Sequence, residues 1–132
     1  VLEAPLVINT DRSLLRRVLM NLLDNGVKFS PVSGRLVVSV SLEQQQARVS
    51  IKDSGSGMSD IERERIFDRF WQTARGRQYG IGSGLGLFLA KQIMNVLGGR
   101  LECSSTEQIG TEFVLFLSID WAHRFPMIGE LN

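Results

Sequence analysis

The chain has one cysteine, one histidine and three prolines among its 132 residues. A single thiol, Cys103, cannot close an internal disulfide, so the fold has to be held by its core. Cys103 lies in a strand-like run and reads as a buried structural thiol, compatible with a reducing, cytoplasmic setting. No apolar run approaches the roughly 20 residues of a membrane span, and no charged-then-apolar leader opens the sequence. A net charge of +1 gives no general attraction to nucleic acid or to an anionic membrane. Any work done by basic residues is therefore local. Internal repeats and low-complexity tracts are also absent.

What is present is an ordinary globular composition, 43% hydrophobic and 22% charged, long enough for one domain with one core. Leu6–Ile8 reads as a short opening strand. Thr10 or Asp11 can cap a helix from about Arg12 to Lys28. Its apolar residues Leu14, Leu15, Val18, Leu19, Leu22, Leu23 and Val27 recur at spacings of three and four. Gly26 is an unusual residue in the last turns, and Ser30-Pro31 ends the helix. Arg35–Leu42 and Arg48–Asp53 alternate and are joined by a polar turn, which predicts an antiparallel hairpin. Ser59 or Asp60 caps a short helix, Ile61–Ile66. Phe67–Gly84 is weakly periodic and reads as a long loop, a length that usually serves function. A second long helix, about Leu85–Leu97, stops at Gly98-Gly99. Two more strands are predicted, Arg100–Ser104 and Thr111–Ile119. Strands and helices in this order argue a two-layer α+β architecture rather than repeating βαβ units.

Four groups of residues carry candidate chemistry. On the first helix, Arg17, Asn21, Asp24, Asn25 and Lys28 fall within an arc of about 100°. A solvated face is the ordinary alternative. Two mid-helix asparagines, however, are modest helix formers, and their oxygens suit Mg²⁺ beside a phosphate-neutralising lysine. The second group is Asp53-Ser54-Gly55-Ser56-Gly57, a carboxylate at a strand end followed by a two-glycine turn. It suits an exocyclic amine such as that of adenine, although a plain turn has the same pattern. The third is Gly80-Ile81-Gly82-Ser83-Gly84-Leu85-Gly86-Leu87, directly before a helix, where free N–H groups and the helix dipole favour an anion. It is neither a P-loop nor a dinucleotide fingerprint. The fourth is the long loop, with Arg69, Arg75 and Arg77 and, at its start, Phe67, Phe70 and Trp71. The aromatics read as anchors, and the basic residues can close over phosphates.

The order of these groups resembles the catalytic ATP-binding domain of two-component sensor histidine kinases, of the GHKL superfamily. Asn21–Ser30 resembles the asparagine box and Asp53–Gly57 the first glycine box. Phe67-Asp68-Arg69-Phe70 resembles the phenylalanine box and Gly82–Leu87 the second glycine box. The resemblance covers about residues 6–119 and also takes in Gly98-Gly99-Arg100 and Gly110–Phe113.

It implies a Bergerat fold, with a mixed, mostly antiparallel sheet on three helices and an ATP lid over about Asp68–Gly82. The domain would span 1–120, with 121–132 as a tail. By the same resemblance Asn25 would be the main Mg²⁺ ligand, supported by Asn21, and Lys28 would neutralise phosphate. Asp53 would take the adenine amine near Gly55, Gly57 and Thr111. Phe29 would border adenine or ribose, and Phe70 would lie on the nucleotide side of the lid. Gly82, Ser83, Gly84, Leu85, Gly86 and Leu87 would line the phosphates and the lid hinge. Arg75 or Arg77 would reach the γ-phosphate.

Gly26, Ser56, Gln72 and Ser83 depart from the commonest family residues without removing a ligand. Asn21 stands where the gyrase, MutL and heat-shock-chaperone branches carry a glutamate that activates water. An amide cannot act as that base, which favours transfer over hydrolysis. His123, the lone histidine, is not in the family's acceptor context. The acceptor is therefore expected on a separate dimerisation domain, the chain is expected to be part of a longer kinase, and a response regulator enters only indirectly. The competing reading is a nucleotide-binding regulatory or docking module without phosphotransfer.

Overall fold

The structure is a computed structural model and describes residues 6–31, 33–71 and 85–119, with Phe29 described in its backbone alone. Residues 72–84, which take in most of the expected lid, and 120–132, which take in the expected tail, lie outside the described residues. With them go the expectations placed on Arg75, Arg77, Gly82, Ser83, Gly84 and His123.

Helix α1 spans Arg12–Phe29 and starts where Asp11 accepts a hydrogen bond from the Leu14 N–H at 3.0 Å. Of the two capping residues the sequence offered, Asp11 caps. Val18 and Leu22 on its apolar face are fully buried, and Leu14, Leu15, Leu19 and Leu23 pack against the same core. Val27, assigned to that periodicity, sits on the far flank and is 65% exposed. Gly26 has a packing reason. A Cβ there would stand 2.7 Å from Leu36 Cδ1, so the missing side chain admits the first strand close against the helix.

That strand, β1 (Leu36–Glu43), turns through Gln44 and Gln45 into β2 (Gln46–Asp53). Both glutamines have positive φ, the requirement of a two-residue hairpin turn that follows the twist of its strands. α2 (Asp60–Arg65) follows, with Ser59 as N-cap in a reciprocal capping box with Glu62. The third helix, α3 (Gly86–Val96), ends in a Schellman motif. Gly98 has φ +70°, its N–H reaches Asn95 O, and the Gly99 N–H reaches Met94 O at 2.9 Å. β3 (Arg100–Thr106) and β4 (Gly110–Ser118) close the chain order.

Among the described residues the sheet has four strands in the order β1-β2-β4-β3, and all three pairings are antiparallel. The mixed character that the resemblance implied is not seen among the described residues, and Leu6–Ile8, read as an opening strand, is not a strand here. Ile8 packs against the core while Val7 is 80% exposed. Burial alternates as in a strand, but packing one side chain onto the core needs no ladder. The α+β, two-layer arrangement with three described helices is otherwise as expected.

One face of the sheet carries Ala47, Ile51, Leu101, Phe113, Leu115 and Leu117, all buried. Against it lie Val18 and Leu22 of α1 and Ala90 and Met94 of α3. Each large side chain removed from water in this way contributes roughly 1.5–3 kcal/mol. On the edge strand β1 the same face stays open, with Val38 51%, Val40 41% and Leu42 48% exposed. Cys103 pairs in register with Phe113. Burial pushes its thiol up to about 12, against the smaller opposing effect of the Arg63 charge.

Candidate nucleotide site

The site is assembled at the ends of elements. β2 ends at Asp53, which is 7% exposed. Its Oδ1 accepts the Gly55 N–H at 2.9 Å and the Thr111 N–H of β4 at 3.3 Å. Among the described residues no donor pairs with the other carboxylate oxygen, Oδ2, so an acceptor remains there for a ligand.

Two glycines set the backbone around it. At Gly57 φ is +67° and a Cβ would meet the Thr106 carbonyl oxygen at 2.0 Å. At Gly110 φ is +149° and a Cβ would meet the Asp53 carbonyl oxygen, also at 2.0 Å. The Asp53–Gly57 turn and the β3–β4 turn therefore approach backbone to backbone. Ser105 fastens them. Its hydroxyl accepts the Met58 N–H at 2.8 Å, donates to Gly110 O at 3.1 Å and lies 2.9 Å from Thr111 Oγ1. Sequence reasoning passed over Ser105, because a serine in a polar strand end carries no signal of its own. Thr111 was expected near the carboxylate and is there, 8% exposed.

The polar stripe of α1 faces a second cluster. Asn21 Nδ2 donates to Gly86 O, the first residue of α3, at 3.1 Å across 65 residues of chain. This bond joins the asparagine stripe to the last glycine of the Gly80–Leu87 run. Asn25 is half-buried one turn further along. Lys28 Nζ stands 2.9 Å from Asp24 Oδ2 in an exposed i,i+4 pair. The N-cap of α3 is Leu85, whose side chain makes no capping hydrogen bond, and the Leu89 N–H closes the first turn on Leu85 O at 2.8 Å. Among the described residues nothing lies within 4 Å of where a Gly86 Cβ would stand, so none of them crowds that helix start. Leu87 packs against the core and anchors it.

The aromatics divide. Phe67 meets Phe113 edge to face at 6.2 Å, and Trp71 also packs against the core, as anchors should. Phe70 does not: it is 60% exposed, has φ +62° and lies under the Arg69 guanidinium at 4.9 Å. Among the described residues no cluster of three or more His, Cys, Asp or Glu side chains could enclose a metal. Two neutral amide oxygens on one helix face suit an ion that keeps water and phosphate as its other ligands. The donor set therefore fits Mg²⁺ arriving with a nucleotide.

Comparison with known proteins agrees with this geometry. Residues 10–120 match the family described as histidine kinase-, DNA gyrase B-, and HSP90-like ATPase. The chain is 37% identical over 113 residues to the circadian input-output histidine kinase CikA of Synechococcus elongatus, covering 84% of this chain and 15% of that protein. It is 34% identical over 119 residues to the sensor histidine kinase WalK of Bacillus subtilis, covering 87% of this chain and 19% of that one. In structure it is similar to the mycobacterial sensor histidine kinase MprB, with a TM-score of 0.73 at 32% identity, covering 83% of this chain and 75% of the other. Full-length ShkA, solved in complex with AMPPNP, gives a TM-score of 0.71 at 29% identity over 82% of this chain and 22% of that one. The chain belongs to the histidine kinase-, gyrase B- and HSP90-like ATPase family. Within it, this is an ATP-binding domain of the sensor histidine kinase kind. It spans less than a fifth of the length of CikA and WalK. No helix among the described residues is long and apolar enough to cross a membrane.

Proposed function

We propose that this domain binds Mg-ATP and transfers the γ-phosphoryl group to a histidine on a separate dimerisation domain, in two-component signalling. The observation that carries the reading is the Asn21–Gly86 bond, which brings the asparagine face of α1 to the start of α3. Phosphoryl transfer asks a protein for positioning and charge neutralisation rather than covalent chemistry, and these are what the two elements offer. Asp53 Oδ2 accepts the adenine amine, with Gly55, Gly57 and Thr111 as its frame. The first-turn N–H groups of α3 take phosphate oxygens. Lys28 exchanges its exposed partner Asp24 for phosphate charge. Asn25, with Asn21, holds Mg²⁺, which when bound offsets charge on the phosphates. Asn21 cannot deprotonate water, which favours an acceptor side chain over hydrolysis.

The domain proper is 1–120 and 121–132 its tail, and the parent chain carries the acceptor histidine and works, with ATP as substrate, in the cytoplasm. ShkA in complex with AMPPNP supports nucleotide binding by a similar fold. The test is calorimetric titration with AMPPNP, with and without Mg²⁺, on the wild-type chain and on Asn25→Ala. One-to-one binding strengthened by Mg²⁺ is expected, with that increment lost in Asn25→Ala. A second assay adds a helical acceptor domain in trans. Acid-labile phosphohistidine on that domain supports transfer. Nucleotide binding without any label supports the regulatory-module alternative.

A further inference from the structure

We infer that Asn21 is a positioning residue: its side-chain N–H fixes the start of α3, and with it the phosphate-facing N–H groups, relative to α1. The inference rests on the ATP-site reading and deepens it, giving the Asn21 amide nitrogen a task separate from metal binding. Asn21 lies opposite a carbonyl oxygen, so the nitrogen of its amide must be the partner. The flip is thereby settled, and Oδ1 is turned away from Gly86 with its direction fixed by α3. A role limited to holding Mg²⁺ uses Oδ1 alone and needs nothing from Gly86.

The start of α3 needs such a tether. Among the described residues no side chain caps it, and Gly86 offers no side chain of its own to pack there. A glycine at a helix start also has more conformational freedom to lose than any other residue. Among the described residues the first turn is also held by the Leu89 N–H to Leu85 O bond, the packing of Leu87 and the Arg69 guanidinium over the Phe88 ring at 5.8 Å. Asn21 supplies the polar link from this turn to α1, where Asn25 and Lys28 reside. Its value is geometric: the N–H groups of α3 and the oxygens of α1 are held in one frame before a nucleotide arrives, so less order has to be imposed on binding.

The test uses Asn21→Ala, which removes the donor while favouring α1 helicity, so the helix itself should be retained. In the nucleotide-free protein, hydrogen exchange at the Leu89 amide is expected to rise roughly three- to tenfold, the range of one net hydrogen bond. Amides of β2 and β4 should keep their rates, which a general loss of stability would not allow. In EDTA, where no metal role can operate, ADP affinity is expected to fall by a similar factor. Unchanged exchange at Leu89 overturns the tether. Faster exchange with unchanged ADP affinity in EDTA overturns the positioning role and returns Asn21 to the metal alone. If the wild-type chain binds no ADP in either buffer, the ATP-site reading fails, and the exchange comparison still decides the tether.

Discussion

The backbone N–H of Thr111 donates to Asp53 Oδ1 across 58 residues of chain, so the carboxylate at the end of β2 is held by β4. The same oxygen takes the Gly55 N–H. Asp53→Asn keeps an oxygen for both donors and replaces the open Oδ2 by an NH₂ group facing the ligand. ATP affinity should fall at least tenfold, with a change in melting temperature of a few degrees at most. Asp53→Ala should differ in kind. It leaves two buried donors unpaired, at about 1–3 kcal/mol each, and urea unfolding should show it.

Two glycines give opposite expectations. Gly26→Ala meets the end of a half-buried leucine side chain, which can rotate aside, and gains up to about 1 kcal/mol of helix propensity. It should raise stability by about 0.5 kcal/mol. Gly57→Ala meets a backbone carbonyl at a positive φ, where nothing can rotate. It should cost more than about 2 kcal/mol and abolish nucleotide binding. Chemical denaturation of both variants checks the pair.

The β1–β2 turn places Gln44 and Gln45 at φ 51° and 64°. Side chains other than glycine and asparagine hold this conformation at a cost of roughly 1 kcal/mol per residue. The double change Gln44→Asn, Gln45→Gly should stabilise the domain by about 1 kcal/mol and leave ATP affinity unchanged. Failure to stabilise would mean that this turn is not of the two-residue positive-φ kind.

Lys28 and Asp24 form an exposed pair worth less than about 0.5 kcal/mol to the fold. Lys28→Met should therefore leave unfolding unchanged and, on the proposed role of its charge toward the phosphates, weaken ATP more than adenosine. Equal loss for both ligands in competition binding would remove Lys28 from the phosphate side.

Cys103 keeps its proton far above the ordinary value of 9.0 because burial opposes the thiolate. Below pH 9 the thiol is protonated folded or unfolded and adds no pH dependence. Between pH 9 and about 12 it ionises on unfolding alone, so stability falls as pH rises through that window. Cys103→Ser should flatten that part of the pH–stability profile. Iodoacetamide at pH 8 should label the native protein at least 100-fold more slowly than the urea-unfolded chain.

Much of this was legible from spacing alone. The leucines of α1 and the alternation of β1 and β2 give these elements to within two residues, because a 3.6 or a 2 period is a local property. The glycine-rich turn, the carboxylate and the asparagine stripe were each legible as groups. Their relation was not. Gly86 and Asn21 meet through a tertiary contact that neither neighbourhood encodes. Leu36 explains Gly26, and Ser105 closes the Gly57 turn, from the far side of the sheet in sequence terms. Leu6–Ile8 misleads for the converse reason: three apolar residues fix burial, whereas a ladder depends on what lies alongside.

The two close backbone approaches at Gly57 and Gly110, where a Cβ would not fit, have one more consequence. On the proposed ATP site, the adenine wall would be held by main chain against main chain, whereas the phosphate wall would be joined, among the described residues, by the Asn21 amide, apolar packing and the Arg69–Phe88 contact. Base preference and phosphate-chain preference are therefore separable traits. Substitutions on the two walls should combine additively in binding free energy, so that a redesign toward another purine need not disturb the reading of two phosphates against three.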